Sequence, residues 1–248
     1  MKKTLWGLML LATTLFAGEI KIAVAANVSY AIGDLIKAFN MLYPDTRVQV
    51  LLGSSGKLTA QIQNGAPYGL FMSANMKYPE ALYKSGMAVT RPMVYAQGAL
   101  ALLSSGKYPV SKGLEVLTDS KIGKIAIANS KTAPYGKAAV EALQKSGIYD
   151  SVKRKFIYGE SVSQTVTYAV TAADIGLVAK SALFSPKMRR FQEGRDWSSV
   201  DPKLYTPISQ GIVILKQGEK DREVAAFYAF IFSKTAADIF LKYGYTLP

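Results

Sequence analysis

The chain contains neither histidine nor cysteine. Without histidine it has no side chain whose ordinary pKa suits proton transfer near neutral pH. Without either residue it has no imidazole or thiolate for a transition metal, and no disulfide. Most catalytic and redox chemistry is thereby excluded, and recognition remains. Acidic residues are also scarce, 17 against 30 lysines and arginines, for a net charge of +13. The basic residues are spread along the chain, with small clusters at Lys153-Arg154-Lys155 and Lys187-Met188-Arg189-Arg190, and aromatic residues do not alternate with them. Single-stranded nucleic acid needs that alternation for stacking, so no nucleic-acid partner is expected. The excess charge reads as a solvated basic surface that attracts an anionic ligand over long range. Beyond residue 17 no apolar run approaches the about 20 residues needed to cross a bilayer.

Residues 1–17 have the pattern of a secretory signal peptide: Lys2-Lys3, an apolar stretch from Thr4 to Phe16, and a Leu15-Phe16-Ala17 cleavage site before Gly18. The stretch is short for a membrane span, so cleavage is expected over an uncleaved anchor. No cysteine follows it to carry a lipid. The expected mature protein is therefore exported, to a periplasm or outside the cell, and not a lipoprotein, and loss of Lys2 and Lys3 lowers its net charge to +11. About 230 residues remain, enough for one large domain or two lobes with cores that need no disulfide.

Apolar runs and helical periodicity alternate along the chain. Strands are expected at Ile20 to Ala25, Val48 to Leu52 and Leu70 to Ser73, with helices from about Ser29 to Leu42, Leu58 to Asn64 and Tyr78 to Ser85. The pattern then restarts. Strands are expected at Ala99 to Leu103, Ile125 to Ile127, Phe156 to Tyr158 and Ile175 to Ala179, with helices at Lys137 to Lys145 and Ser163 to Ala172. A strand at Gly211 to Leu215 precedes a long helix from Asp221 to about Lys234 and a final one at Ala236 to Lys242. Such alternation points to mostly parallel sheets flanked by helices. With no low-complexity linker, two lobes are expected, residues 18–95 plus 209–248 and residues 96–208, joined by crossings near Tyr95-Ala96 and Ile208-Ser209.

Four strand-to-helix loops carry small or neutral polar residues: Ala25-Ala26-Asn27-Val28-Ser29, Gly53-Ser54-Ser55-Gly56-Lys57-Leu58, Asn129 to Gly136 with Ala133-Pro134-Tyr135-Gly136 at its end, and Gly159-Glu160-Ser161-Val162-Ser163-Gln164. Each is compatible with simple helix capping. Each also places unpaired N–H groups and a positive helix end where an oxyanion can approach closely. In open α/β sheets, ligands bind at the C-terminal ends of strands, and all four loops lie there. The serine loop lacks the glycine spacing of a nucleotide-binding P-loop, so no nucleotide is inferred.

The donors select among anions. Neutral hydroxyl, amide and N–H groups suit a fully deprotonated tetrahedral dianion, whereas hydrogen phosphate brings a proton that needs an acceptor. Glu160 is the only acidic residue in the loops and is expected to point away from the ligand. The residues thus favour molybdate, tungstate or sulfate over phosphate without separating the first three.

Taken together, these loops resemble the periplasmic molybdate-binding proteins of ABC transporters. The resemblance also rests on Asn64-Gly65-Ala66-Pro67, Leu70 to Asn75, Asp174 to Val178 and the ending Phe240-Leu241-Lys242-Tyr243-Gly244-Tyr245, and it spans the whole mature chain. It implies a type II two-lobed periplasmic-binding-protein fold with the ligand in the interlobe cleft. It further implies a molybdate or tungstate ligand, no cofactor, delivery to a membrane permease, no enzymatic activity and a monomeric protein. By that resemblance Asn27 and Ser55 contact the oxyanion, and Tyr135 and Val162 supply backbone N–H donors. Ala26, Ser54 and Ser163 are further candidates. Some members add a tyrosine hydroxyl where this chain has Ala179, so the Asn27 amide is expected to replace it. Gly69 and Asn75 stand where the family usually has aspartates. The alternatives are a sulfate- or phosphate-binding transport protein and a periplasmic oxyanion sensor. A serine hydrolase using Ser54 or Ser55 would have only Lys57 as its base.

Overall fold

The computed structural model describes residues 18–104 and 108–248, so the signal-peptide expectation lies outside the described residues. The strands form two five-stranded sheets. The first has the order β2-β1-β3-β10-β4, from β1 (Glu19–Ala25), β2 (Arg47–Gly53), β3 (Leu70–Ser73), β4 (Met93–Gly98) and β10 (Ile208–Ile214). The second has the order β7-β6-β8-β5-β9, from β5 (Leu100–Leu103), β6 (Ile125–Ala128), β7 (Phe156–Gly159), β8 (Ile175–Ala179) and β9 (Trp197–Ser199). The chain passes between sheets at Ala99 and again through residues 200–207.

Each sheet is mixed. β1 runs parallel to β2 and β3, while β10 is antiparallel to β3 and β4. β6 runs parallel to β7 and β8, while β5 is antiparallel to β8 and β9. Tyr95-Ala96 and Ile208-Ser209 lie within β4 and β10 and not in the crossings. Neither β4 nor β9 stands out in the sequence. β4 is an edge strand following Pro92 with Met93 half exposed, and β9 is three residues long.

Helices cover both faces of the first sheet. On one side α1 (Ile32–Asn40), α8 (Arg222–Ile231) and α9 (Lys234–Lys242) bury Leu35, Phe39, Phe227 and Phe240 against Ile20, Ile22 and Val24. Phe39 meets Phe227 and Phe230 edge-on, with ring centroids 5.0 and 5.6 Å apart. Truncating such a ring costs about 3–5 kcal/mol. On the other side α2 (Ser55–Gln63) and α3 (Lys77–Lys84) bury Leu58, Ile62 and Leu82 against Ala23, Phe71 and Val213. The two helices expected at Asp221 to about Lys234 and Ala236 to Lys242 are α8 and α9, with the break earlier, at Phe232-Ser233. Asp221 caps α8 by accepting from Glu223 and Val224 N–H, and Ser233 caps α9 by accepting from Ala236 N–H.

In the second sheet, α4 (Pro134–Lys145) and α5 (Tyr149–Val152) lie on the face holding Leu100, Leu102, Ile125 and Ile127. α6 (Val162–Thr171) and α7 (Lys180–Leu183) lie on the face with Ala101, Leu103, Ala126 and Val178. β1, β6 and β8 are buried along nearly their whole length, which is why they read as continuous apolar runs. Past α9 the chain returns to β4, where Gln97 and Thr246 exchange two backbone hydrogen bonds of 2.7 and 3.0 Å.

Candidate functional site

The four loops converge. The turn after β1, the head of α2, the head of α4 and the head of α6 converge on one small cavity. Its lining includes Ala26, Asn27, Ser54, Ser55, Tyr135 and Val162, each at most 4 % exposed. Gly53, Ala74 and Pro134 complete much of the rest. No charged side chain lines it. Ser163 lies outside the lining, half-buried, with its hydroxyl 3.0 Å from that of Ser161.

The two serines at the head of α2 do not cap it. Ser54 occupies the cap position with extended backbone, yet its hydroxyl has no hydrogen-bond partner although the residue is 3 % exposed. A buried, unpaired hydroxyl carries a desolvation cost of about 1–3 kcal/mol and calls for a function. The Ser55 hydroxyl accepts from Ala74 N–H at 2.9 Å, which leaves its own proton free to donate. Ser161, in contrast, caps α6 by accepting from Gln164 N–H. Val162 is the first residue of α6 and Tyr135 the second of α4, positions whose N–H groups find no partner inside a helix.

Asn27 is 1 % exposed but its amide is not free to donate. Gln210 gives an N–H to the Ile208 carbonyl at 3.0 Å, which turns its Oε1 toward Asn27, and Asn27 Nδ2 donates to that oxygen at 2.8 Å. The Tyr245 hydroxyl donates to the Asn27 carbonyl at 2.9 Å and accepts the second Nδ2 hydrogen at 3.0 Å. Asn27 Oδ1 is left without a partner. The expectation that the Asn27 amide stands in for a hydroxyl at Ala179 therefore meets a side chain already engaged from behind. The turn itself still offers the backbone N–H groups of Ala26 and Asn27. Burial pushes the Tyr245 phenol up to about 12, the bonds with Ser181 and Asn27 opposing the rise, and burial raises Tyr95 and Tyr135 well above the ordinary tyrosine range. All three stay neutral and add no negative charge beside an anion.

The two sheets meet around the cavity. Gly56 N–H donates to the Thr132 carbonyl at 2.9 Å. A side chain at Gly56 would come within 3.0 Å of the Thr132 backbone, so glycine is required there for close approach of the opposite lobe. Lys57 Nζ lies 2.7 Å from Glu160 Oε2 across the rim, with both side chains mostly exposed. Glu160 is thus turned away from the cavity, and Lys57 is paired where a hydrolase would need it as a base. Gly69, where the resembling family has aspartate, lies against Gly218, and a Cβ there would fall 2.7 Å from Val224. Among the described residues, no group of His, Cys, Asp or Glu is arranged to hold a metal ion.

Gln210, Tyr245 and Ser181 escape sequence reasoning. Gln210 falls just before the strand expected at Gly211 to Leu215, and Tyr245 and Ser181 reach Asn27 from 218 and 154 residues away.

Known proteins resemble this chain in sequence and in fold. The family model for bacterial extracellular solute-binding proteins matches residues 20–246. The molybdate-binding protein ModA of Rhodobacter capsulatus is 37 % identical over 238 residues, covering 95 % of this chain and 91 % of that protein. ModA of Azotobacter vinelandii is 36 % identical over 245 residues, covering 97 % and 95 %. The solved structure of the Azotobacter vinelandii periplasmic molybdate-binding protein superposes with a TM-score of 0.85 at 31 % identity, over 92 % of this chain and 99 % of that one.

Proposed function

The chain belongs to the bacterial extracellular solute-binding proteins, and from that premise we propose that it binds molybdate between its two lobes and delivers it to an ABC permease. The observation that carries the reading is the buried, uncharged cavity at four strand-to-helix loops, with the Ser54 hydroxyl unpartnered on its wall. In this reading Ser54 and Ser55 donate hydroxyl hydrogens, and Ala26, Asn27, Tyr135 and Val162 donate backbone N–H groups. A dianion is held by neutral donors in a dry site, where each hydrogen bond is stronger than in water. The lobes, residues 18–98 with 208–248 and residues 100–199, close about the two crossings, and the Gly56–Thr132 and Lys57–Glu160 contacts form on closure. The protein then acts as a monomeric periplasmic carrier with no catalytic step, and tungstate, a dianion of the same geometry, is a second ligand.

Calorimetric titration of the mature protein with molybdate, tungstate, sulfate and hydrogen phosphate tests this. Molybdate and tungstate are expected to bind, with sulfate weaker. The cavity holds no carboxylate to accept the phosphate proton, and Asn27 Oδ1 is the one unpartnered side-chain amide acceptor on its lining, so phosphate is the informative competitor. Binding of phosphate in preference to molybdate would overturn the reading.

A further inference from the structure

The hydroxyl of Tyr245 is placed where no ligand contact requires it. Tyr245 is 2 % exposed and absent from the cavity lining. Its ring is held edge-on to Phe240 at 5.5 Å, and Tyr245 N–H donates to the Phe240 carbonyl, so packing and backbone fix it without help from the hydroxyl. The hydroxyl nevertheless makes two bonds to one residue, donating to the Asn27 carbonyl and accepting from Asn27 Nδ2. Two more groups act on Asn27. Gln210 takes its other amide hydrogen, and Ser181, from the second sheet's α7, donates to the same carbonyl at 3.1 Å.

We infer that Tyr245 is a positioning residue for anion binding: it pins the Ala26-Asn27 turn so that the backbone N–H groups of that turn face the cavity. The inference rests on the proposed oxyanion site. The orientation is transmitted from groups that can only accept. The Ile208 carbonyl fixes Gln210, Gln210 fixes the Asn27 amide, and the Asn27 carbonyl fixes the direction of the Tyr245 proton. Ser181 makes the pinning sensitive to closure, because its bond to the Asn27 carbonyl joins the two lobes. Two residues beyond Ala179, Ser181 thus brings the second lobe to the first-strand turn without touching the ligand.

The test is a double-mutant cycle read by molybdate affinity and dissociation rate on folded protein. Tyr245→Phe keeps the ring and removes only the hydroxyl, and it is expected to weaken molybdate binding by at least about threefold, mostly through faster dissociation. Combined with Asn27→Ala, the loss is expected to be smaller than the product of the two single losses, because both act through one turn. Ser181→Ala is expected to speed dissociation on its own and to couple with Tyr245→Phe, which keeps the inference testable if Asn27→Ala folds poorly. A Tyr245→Phe protein with lowered melting temperature but unchanged molybdate affinity overturns the inference, as do losses that simply multiply. Wild-type protein that takes up no molybdate overturns the underlying site assignment as well, which separates the two failures.

Discussion

In the proposed site the first lobe offers hydroxyl groups, Ser54 and Ser55 at the head of α2, beside the backbone N–H groups of the Ala26-Asn27 turn. The second offers main-chain N–H groups alone in that proposal, at the heads of α4 and α6, through Tyr135 and Val162. The two halves therefore depend on sequence in different ways. A hydroxyl is lost by every substitution of the serine that does not bring another hydroxyl, whereas a backbone donor survives every side chain except proline. The first half is also cross-braced by side chains, since Ser55 bonds Ala74 N–H and Asn27 is gripped by Gln210 and Tyr245. The second half is set by helix geometry, with Ser161 capping α6 and Pro134 opening α4. A site assembled from both is neutral throughout, and the Lys57–Glu160 ion pair lies on its exposed rim.

The largest effect is expected on the hydroxyl side. Ser55→Ala removes a donor to a charged group, worth about 1.5–3 kcal/mol, and leaves Ala74 N–H without its acceptor. Molybdate affinity should fall roughly 10- to 100-fold by calorimetry. An unchanged affinity would mean that the hydroxyl half of the comparison is wrong. At the rim the effect should be small. Lys57→Gln breaks an exposed pair worth about 0.2–1 kcal/mol, so binding should weaken by less than about fivefold, and the difference should vanish near 1 M salt. A larger, salt-insensitive loss would move Lys57 into the site. The smallest effect concerns pH. No lining group titrates near neutrality, and the Tyr245 phenol behind the site titrates only at about 12. Molybdate affinity should therefore stay flat between about pH 6 and 9, and a step in that interval would expose an ionisable contact.

Local chemistry made much of this legible. β1, β6 and β8 read as buried strands because both faces are covered, and the four loops announced themselves by small neutral residues after each strand. Ser55, Tyr135 and Val162 follow from loop position together with family resemblance. Edge strands β4 and β9 did not, because short half-exposed segments carry little periodicity. The antiparallel course of β10 and β5 depends on pairings between distant segments, which no local window reports. The engagement of Asn27 was hidden for the same reason. Its character as a donor or an acceptor is decided by Gln210 and by Tyr245, which lie about two hundred residues away.

The measurement that bears most directly on the central claim, that uncharged donors from both lobes hold the anion, is a matched pair at Val162. This residue is the first of α6, where proline is tolerated, and the preceding Ser161 already has the extended backbone that proline requires. Val162→Pro deletes the N–H and replaces the buried isopropyl group, while Val162→Ala also trims that group and keeps the N–H. Calorimetry should show molybdate binding weakened about tenfold or more by proline and nearly unchanged by alanine. Equal affinity in both variants would contradict the account.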